Sequence, residues 1–400
     1  AFSIPDGVAA QQQTTADSLQ DISIEEAIQK AKADYPGVRS ARLEIESREA
    51  LKKTAWDLGT TRVFTGKEEV GNGAPGIQTL LGVEQQGIAP FSIAPERNLR
   101  KEQTGLAEST LDLTLLEIER EVRMDWNNAY VAKRQYILYQ QLDSVFTEFE
   151  QAARLRYEQD AISNLEYLAA TNQARQITLQ KEQFYRDYRA ALIELNAWLV
   201  SDTLFTVAAT EPEELARPVT GVTNLLKNHP LLDYERRQVD IADARYGVAK
   251  SNFLPSFNVQ YGFQEIAGQT GFYSFEIGVS VPLFFFSQQG HTQSAKIQRK
   301  IAEQDLHQRQ IEIQSVYKSS LQEYRKWLYS WQYYQNEALP LAVEQRKGAV
   351  TAYQAGDIDY VTFIQNVRSA IEVEINSWNA LANFLESKAH LTYFLQSSNY

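Results

Sequence analysis

Polar and apolar residues alternate strictly over two stretches of the chain. Phe257, Val259, Tyr261 and Phe263 are separated by Asn258, Gln260 and Gly262; then Tyr273, Phe275, Ile277, Val279 and Val281 are separated by Ser274, Glu276, Gly278 and Ser280. A period of two belongs to a β-strand with one apolar and one polar face. The pattern therefore predicts strands at about 256–266 and 272–283, with Gly268 and Gly271 in the hairpin turn between them. Elsewhere the spacing changes to three and four. Ile313, Tyr317, Leu321, Tyr324, Leu328 and Trp331 form one such stripe, and Phe184, Tyr188, Leu192, Leu195 and Leu199 form another. That is the pattern of helices buried along one side and paired in coiled-coil fashion. Residues 96–156 and 291–352 contain only Gly105, Pro340 and Gly348 as breakers. Each predicts a helix on the order of 90 Å long at about 1.5 Å per residue, too long for a compact domain. Returning helices are expected at 162–199 and 358–395.

The order of these elements occurs twice. Pro36 and Pro230 each follow a short polar phrase and lie 194 residues apart; Pro90 and Pro282 lie 192 apart; Tyr157-Glu158-Gln159-Asp160-Ala161-Ile162 answers Tyr353-Gln354-Ala355-Gly356-Asp357-Ile358 at 196. Nearly constant offsets point to duplication of one unit. The reading is a leader at 1–20, a first repeat at 21–210, a linker at 211–220 marked by Pro212 and Pro218, and a second repeat at 221–400. The leader, with Gln11, Gln12, Gln13, Thr14 and Thr15, is expected to be flexible, and the start at Ala1 suits a mature exported protein or an excised segment. The first hairpin, at about 61–70 and 77–88, alternates less cleanly and is placed by the repeat. Its turn, Gly71 to Gly76, matches G-x-G-x-x-G, but Pro75 and a following strand argue for a hairpin loop over a dinucleotide site.

Charge and composition narrow the partners. The 400 residues hold 39 Lys and Arg against 51 Asp and Glu, a net charge of −12, which argues against a nucleic-acid or anionic-membrane partner, since both demand a basic face. Cysteine is absent, which excludes disulfides, thiolate metal sites and thiol nucleophiles in the chain as given. His229, His291, His307 and His390 lie in separate elements without metal-ligand spacing, and no hydrolase, zincin or P-loop motif is present. The chain is not expected to be an enzyme or to hold a cofactor or metal. No apolar run approaches the roughly 20 residues of a transmembrane helix, so a bilayer can be crossed only by a β-barrel. Four strands cannot close one, because the smallest membrane barrels have about eight. Further copies of the chain must complete it: two would give eight strands and three would give twelve, the larger number leaving room for a lumen.

The duplicated order, the Asn228-His229-Pro230-Leu231 phrase, the lead Ala249-Lys250-Ser251-Asn252-Phe253-Leu254-Pro255 into a strand and the Tyr353-x-x-Gly356 turn resemble the TolC family of outer-membrane efflux proteins. The resemblance covers nearly all of residues 21–398. It implies a mainly α fold with a membrane β-barrel: a homotrimer whose twelve-stranded barrel in outer-membrane lipid is continued across the periplasm by a twelve-helix α-barrel. It also implies a passive exit duct served by a periplasmic adaptor and an inner-membrane transporter of the resistance-nodulation-division type. The adaptor-facing tips would be 157–165 and 353–361, with Tyr157, Asp160, Ile162, Tyr353, Gly356, Asp357 and Ile358 in the turns. Some family members narrow the tip with inward carboxylates six residues past the turn glycine; here those positions are Glu166 and Thr362, so an acidic gate would be half complete. The carboxylates Glu158, Asp160, Asp357 and Asp359 read first as solvated turn residues.

Phe284, Phe285 and Phe286 follow the last strand, where an aromatic girdle would meet the headgroups or the run would pack on a neighbouring helix. The stretch Arg42-Leu43-Glu44-Ile45-Glu46 and the hairpin after it look closest to the branch that exports heavy-metal cations, with multidrug efflux or type I secretion as the rival cargo. A soluble coiled-coil scaffold would share the helical stripes without the strands, and a porin-like channel would share the strands without the long helices.

Overall fold

The computed structural model describes residues 20–70, 76–201, 203–208, 228–266 and 268–395. The expected leader up to residue 19, the linker at 211–220 and turn residues 71–75 of the G-x-G-x-x-G match lie outside the described residues. In chain order the elements are β1 (Gln20–Ile22), α1 (Ile24–Asp34), α2 (Pro36–Leu51), a 3-10 turn (Lys52–Trp56), β2 (Thr60–Val70), β3 (Gly76–Ile88), α3 (Pro90–Glu158), α4 (Asn164–Leu199) and β4 (Phe205–Val207). The second half follows as α5 (Pro230–Ser251), β5 (Ser256–Ile266), β6 (Gln269–Ser280), α6 (Phe286–Tyr333), a π-helical turn (Tyr334–Ala338), α7 (Leu339–Ala355) and α8 (Tyr360–Leu395).

Prolines explain where these boundaries differ from the sequence reading. α3 begins at Pro90, whose missing N–H costs nothing at a helix start, and continues through Pro95 at the loss of one internal hydrogen bond. Its 69 residues make a helix on the order of 100 Å long. β6 stops at Ser280 and not at 283, because Pro282 has no N–H to give a ladder. The tract expected as one helix over 291–352 is interrupted just before Pro340, where Leu339 N–H donates to the Tyr334 carbonyl five residues back. This π turn takes up the irregularity that a helix-interior proline creates.

The described chain forms two compact units. One lies within 20–35, 118–208 and 322–390, and is helical apart from a parallel ribbon of β1 and β4. Trp126 donates from its indole nitrogen to the Ile22 carbonyl at 3.1 Å, and the Lys133 ammonium donates to the Val207 carbonyl at 2.7 Å, so both ribbon strands are tied to α3. Lys32 and Glu119 form a buried ion pair at 2.6 Å, with Arg123 on the other carboxylate oxygen at 3.2 Å. Desolvated charges of this kind need every partner they have. Further along, Leu138, Tyr139, Leu142 and Phe146 of α3 meet Ala174 and Ile177 of α4, Ala349 and Tyr353 of α7, and Phe363, Val367 and Ile371 of α8 in one apolar core.

The other unit lies within 36–117, 228–321 and 391–395 and carries a four-stranded antiparallel sheet in the order β2-β3-β5-β6. Below it Leu99 of α3 packs with Ile241 and Ala244 of α5. His229 caps α5 and is fully buried: Nδ1 accepts from Leu231 N–H at 3.2 Å, and Nε2 lies 2.9 Å from the Tyr393 carbonyl. Burial holds its pKa below the ordinary histidine value, against the opposing pull of the Tyr393 carbonyl and the Asp233 charge. The neutral ring with Nε2–H donating fits both bonds.

Candidate functional site

The sheet has two chemically different faces, and the register aligns them across all four strands. Val63, Val83, Tyr261 and Phe275 form one row, and the adjoining rows on the same side hold Leu81, Phe263 and Tyr273, then Val259 and Ile277. Val63, Leu81, Val83, Phe263, Tyr273, Phe275, Ile277 and Val279 are all exposed, an unpartnered apolar surface too broad for a wall facing water. On the opposite face Arg62, Glu84, Gln260 and Glu276 form a polar row, with Arg62 and Glu84 paired at 3.0 Å. Apolar outside and polar inside is the division a membrane barrel needs. Among the described residues both outer edges of the sheet, on β2 and β6, are unpaired.

Glycine shapes the polar face. A Cβ added at Gly82 would lie 2.5 Å from the Phe64 ring and 2.9 Å from the Tyr261 carbonyl, so only glycine lets Phe64 lie flat across the strand. Phe64 also carries the Arg62 guanidinium above its ring at 5.3 Å. An aromatic residue on the polar face is why the first hairpin alternates poorly in sequence.

Just past the last strand, Phe284, Phe285 and Phe286 are all exposed, and Phe285 also stacks on Phe253 at 6.0 Å. The apolar rim at this end of the sheet is wider than the phenylalanine run. Leu51, Trp56 and Leu58 before β2, Phe91 after β3 and Leu254 before β5 are also exposed.

The two helix turns repeat one design. α3 ends with Asp160 N–H donating to the Tyr157 carbonyl and Ala161 N–H to the Arg156 carbonyl; α7 ends with Gly356 N–H donating to Tyr353 and Asp357 N–H to Ala352. This pair of crossed bonds needs a left-handed residue, and Asp160 (φ 55°) and Gly356 (φ 84°) supply it. Tyr157 stacks on Tyr167 at 5.3 Å across the first turn, and Tyr353 stacks on Phe363 at 4.8 Å across the second. Ile162 is half-buried, and Ile358 packs against the apolar core.

Glu166 and Thr362 occupy equivalent places, the third residue of α4 and of α8. Ser163 accepts from Glu166 N–H at 3.2 Å at the first helix start, and Asp359 accepts from Thr362 N–H at 2.7 Å at the second. That bond, with one from the Thr362 hydroxyl, holds the Asp359 carboxyl below the usual carboxylate range. Glu166 is half-buried and Thr362 exposed. Ser163 and the aromatic stacks were not singled out from sequence, although Ser163-x-x-Glu166 is the spacing of a helix cap. Among the described residues no cluster of His, Cys, Asp and Glu is arranged to hold a metal.

The amphipathic sheet and the two capped turns can be set beside known proteins. Residues 221–394 match the sequence model of the family described as outer membrane efflux protein. That family, of outer-membrane channels, is the one the sequence resembles. Its fold is similar to that of CusC, in a crystal structure concerned with folding and transmembrane channel formation: TM-score 0.80 at 14% identity, covering 99% of this chain and 97% of that one. It is similar to a membrane protein from Pseudomonas aeruginosa, with TM-score 0.81 at 15% identity, covering 99% and 96%. It is also similar to the open state of the MtrE outer-membrane channel of Neisseria gonorrhoeae, with TM-score 0.76 at 14% identity, covering 93% and 88%. No curated protein matches it in sequence.

Proposed function

We propose that three copies of this chain close a twelve-stranded barrel in the outer membrane and a tube of helices beneath it, forming a passive exit duct. The observation that carries the reading is the sheet: four strands, apolar on one face and polar on the other, with both edges open among the described residues. Unpaired backbone at a sheet edge is not tolerated in lipid, so the edges must be met by other copies. Cargo would arrive from an inner-membrane transporter of the resistance-nodulation-division type through a periplasmic adaptor. The adaptor would engage the turns at 157–165 and 353–361, where Leu165 and Val361 are exposed. Heavy-metal cations are the favoured cargo, with multidrug or type I secretion substrates as the second reading. Glu166 would contribute one carboxylate per copy to a ring at the narrow end, and mutual repulsion in such a ring favours cation binding.

The test is the mass and circular dichroism of detergent-extracted protein. A detergent-dependent species of three times 45.6 kDa with mixed helical and β signal is expected. A detergent-free monomer of nearly pure helix would sink the duct. In planar bilayers Glu166→Ala should then lower cation over anion selectivity; unchanged selectivity would remove Glu166 from the pore.

A further inference from the structure

We propose that a cleft in the first repeat binds the phosphate of a glycerophospholipid headgroup at the bilayer surface; this rests on the outer-membrane reading above. The cleft, about 730 Å³, is lined by Lys52, Lys53, Trp56, Arg97, Asn98 and Lys101, with Ala94 at its side. Four cations and no carboxylate converge there, in a chain whose acids outnumber its bases by 51 to 39. Lys52 and Lys101 reach only neighbouring glutamates, at 3.5 Å to Glu49 and 3.6 Å to Glu102. Lys53 and Arg97 pair with no carboxylate among the described residues. Like charges held this close repel one another, and an anion in the cleft relieves the repulsion.

Position selects the anion. The 3-10 turn that carries Lys52 and Lys53 leads into β2, and α3 starts directly after β3, so the cleft adjoins the helix-proximal end of the sheet. Arg97 lies seven residues into α3, roughly 10 Å from its start. A headgroup layer is about 5–7 Å deep on each side of the hydrocarbon, within reach of Lys and Arg side chains. Trp56, 62% exposed, forms the cleft's apolar edge, and the exposed Leu51, Leu58 and Phe91 belong to the rim described above. An indole beside lysines and arginines at the end of a membrane strand suits an amphipathic ligand, phosphate on one side and acyl chain on the other. A free phosphate has no use for the tryptophan.

The second repeat lacks this arrangement. At the spacing of Pro90 and Pro282, the positions answering Arg97 and Lys101 are Gln289 and Gln293. Its nearby cations are engaged internally, Arg299 with Asp243 at 3.0 Å and Lys250 over the Tyr246 ring at 4.4 Å. The cationic cleft is therefore a property of one repeat and not a requirement of the duplicated fold.

The experiment compares the full-length protein with Lys52→Gln/Lys53→Gln/Arg97→Gln/Lys101→Gln, and with the milder Arg97→Gln. Both are placed in nanodiscs of phosphatidylcholine with one-fifth phosphatidylglycerol, and retained lipid is counted by native mass spectrometry. Wild type should retain phosphatidylglycerol over phosphatidylcholine by at least about fivefold, the worth of one well-placed cation; the quadruple variant should lose the preference and Arg97→Gln should fall between. Glycerol 3-phosphate at millimolar concentration should not displace the lipid. Equal retention in wild type and variants overturns the site while leaving the membrane reading intact. Displacement by glycerol 3-phosphate overturns the lipid as occupant in favour of a soluble phosphate. A variant that falls to monomer in detergent overturns it in favour of a contact between copies, and a wild-type protein that does not enter the disc overturns this proposal and the membrane reading together.

Discussion

At Asp160 and at Gly356 the chain makes the same left-handed cap with the same two crossed hydrogen bonds, yet the chemistry around the two turns is exchanged. The first turn has a hydroxyl at the helix cap, Ser163, and a carboxylate three residues on, Glu166; the second has the carboxylate at the cap, Asp359, and the hydroxyl three residues on, Thr362. Their aromatic stacks differ in burial. Tyr353 and Phe363 sit in the core, whereas Tyr157 is exposed and Tyr167 half-exposed. The cause is one residue. Phe149 of α3 packs on Tyr353, Tyr360 and Phe363, while its counterpart in the second repeat, 196 positions on, is Gln345, which donates to Asn366. The two joints thus share one backbone geometry while their side chains give one packed turn and one open turn.

The largest test of that contrast removes each stack in turn. Phe363→Ala empties a side chain only 2% exposed at the centre of the cluster and should cost about 3–5 kcal/mol. Tyr167→Ala, in the open stack, should cost only about 1 kcal/mol. Thermal midpoints by circular dichroism, at one protein concentration in detergent, distinguish them. Equal losses would mean that the two turns are packed alike in the assembled protein.

A second contrast concerns the proline joints. Before Pro230 stands His229, buried and bonded on both ring nitrogens; before Pro36 stands Tyr35, which stacks on Trp198 at 4.8 Å and makes no comparable cap. His229→Ala should cost about 2–4 kcal/mol, from the cavity and the orphaned Leu231 N–H and Tyr393 carbonyl. Because burial lowers the folded pKa of His229, the unfolded chain binds its proton first as pH falls. Its contribution is complete above the ordinary histidine value near 6.5 and declines below it. His229→Gln should flatten the midpoint-against-pH curve in that window, and an unchanged slope would locate the titration elsewhere.

What could be read from sequence follows from how directly each element's physics shows as periodicity. β5 and β6 alternate cleanly over 257–264 and 273–281 because Gly262, Ser274 and Gly278 keep the polar face there free of large apolar groups; Phe272, opposite Gln264, is the exception at the turn end. β2 and β3 do not, because Phe64 and Leu80 lie on the polar face, over the notches left by Gly82 and Gly262. The long helices were legible as stripes, but their proline-dependent details were not, since whether Pro95 or Pro340 breaks a helix depends on what the local backbone absorbs. At the turns, the Gly356 cap was legible and Asp160 followed from the repeat. The buried stack was not, because Phe149 reaches it from across the core and no local spacing reveals such a contact.

A smaller effect sharpens the cap comparison. Gly356 has φ 84° with nothing within 4 Å of an added Cβ, so Gly356→Ala measures backbone strain alone, about 1 kcal/mol. Asp160 already bears that strain at φ 55°, and Asp160→Gly should recover about 0.5–1 kcal/mol. If Asp160→Gly instead destabilises, the Asp160 carboxylate makes a contact in the assembled protein that outweighs its backbone strain.

The finest distinction is in pH. Ser163 and Asp359 each satisfy one amide at a helix start, but only Asp359 titrates. Hydrogen bonds from Thr362 lower the folded pKa of Asp359, so the unfolded state takes up the proton at a higher pH than the folded one does. Its stabilisation is present above the ordinary carboxylate range near 3.9 and is lost as pH falls through the lowered folded value. Ser163→Ala should therefore cost about 1 kcal/mol at pH 7 and the same at pH 3. Asp359→Ala should lower the thermal midpoint at pH 7 and have a fading effect toward pH 3, while Asp359→Asn keeps a cap without the titration. The exchanged pair then behaves as a neutral cap on the open turn and an acid-sensitive cap on the packed one. Parallel pH profiles for Ser163→Ala and Asp359→Ala would show that the exchange of hydroxyl and carboxylate between the turns carries no electrostatic consequence.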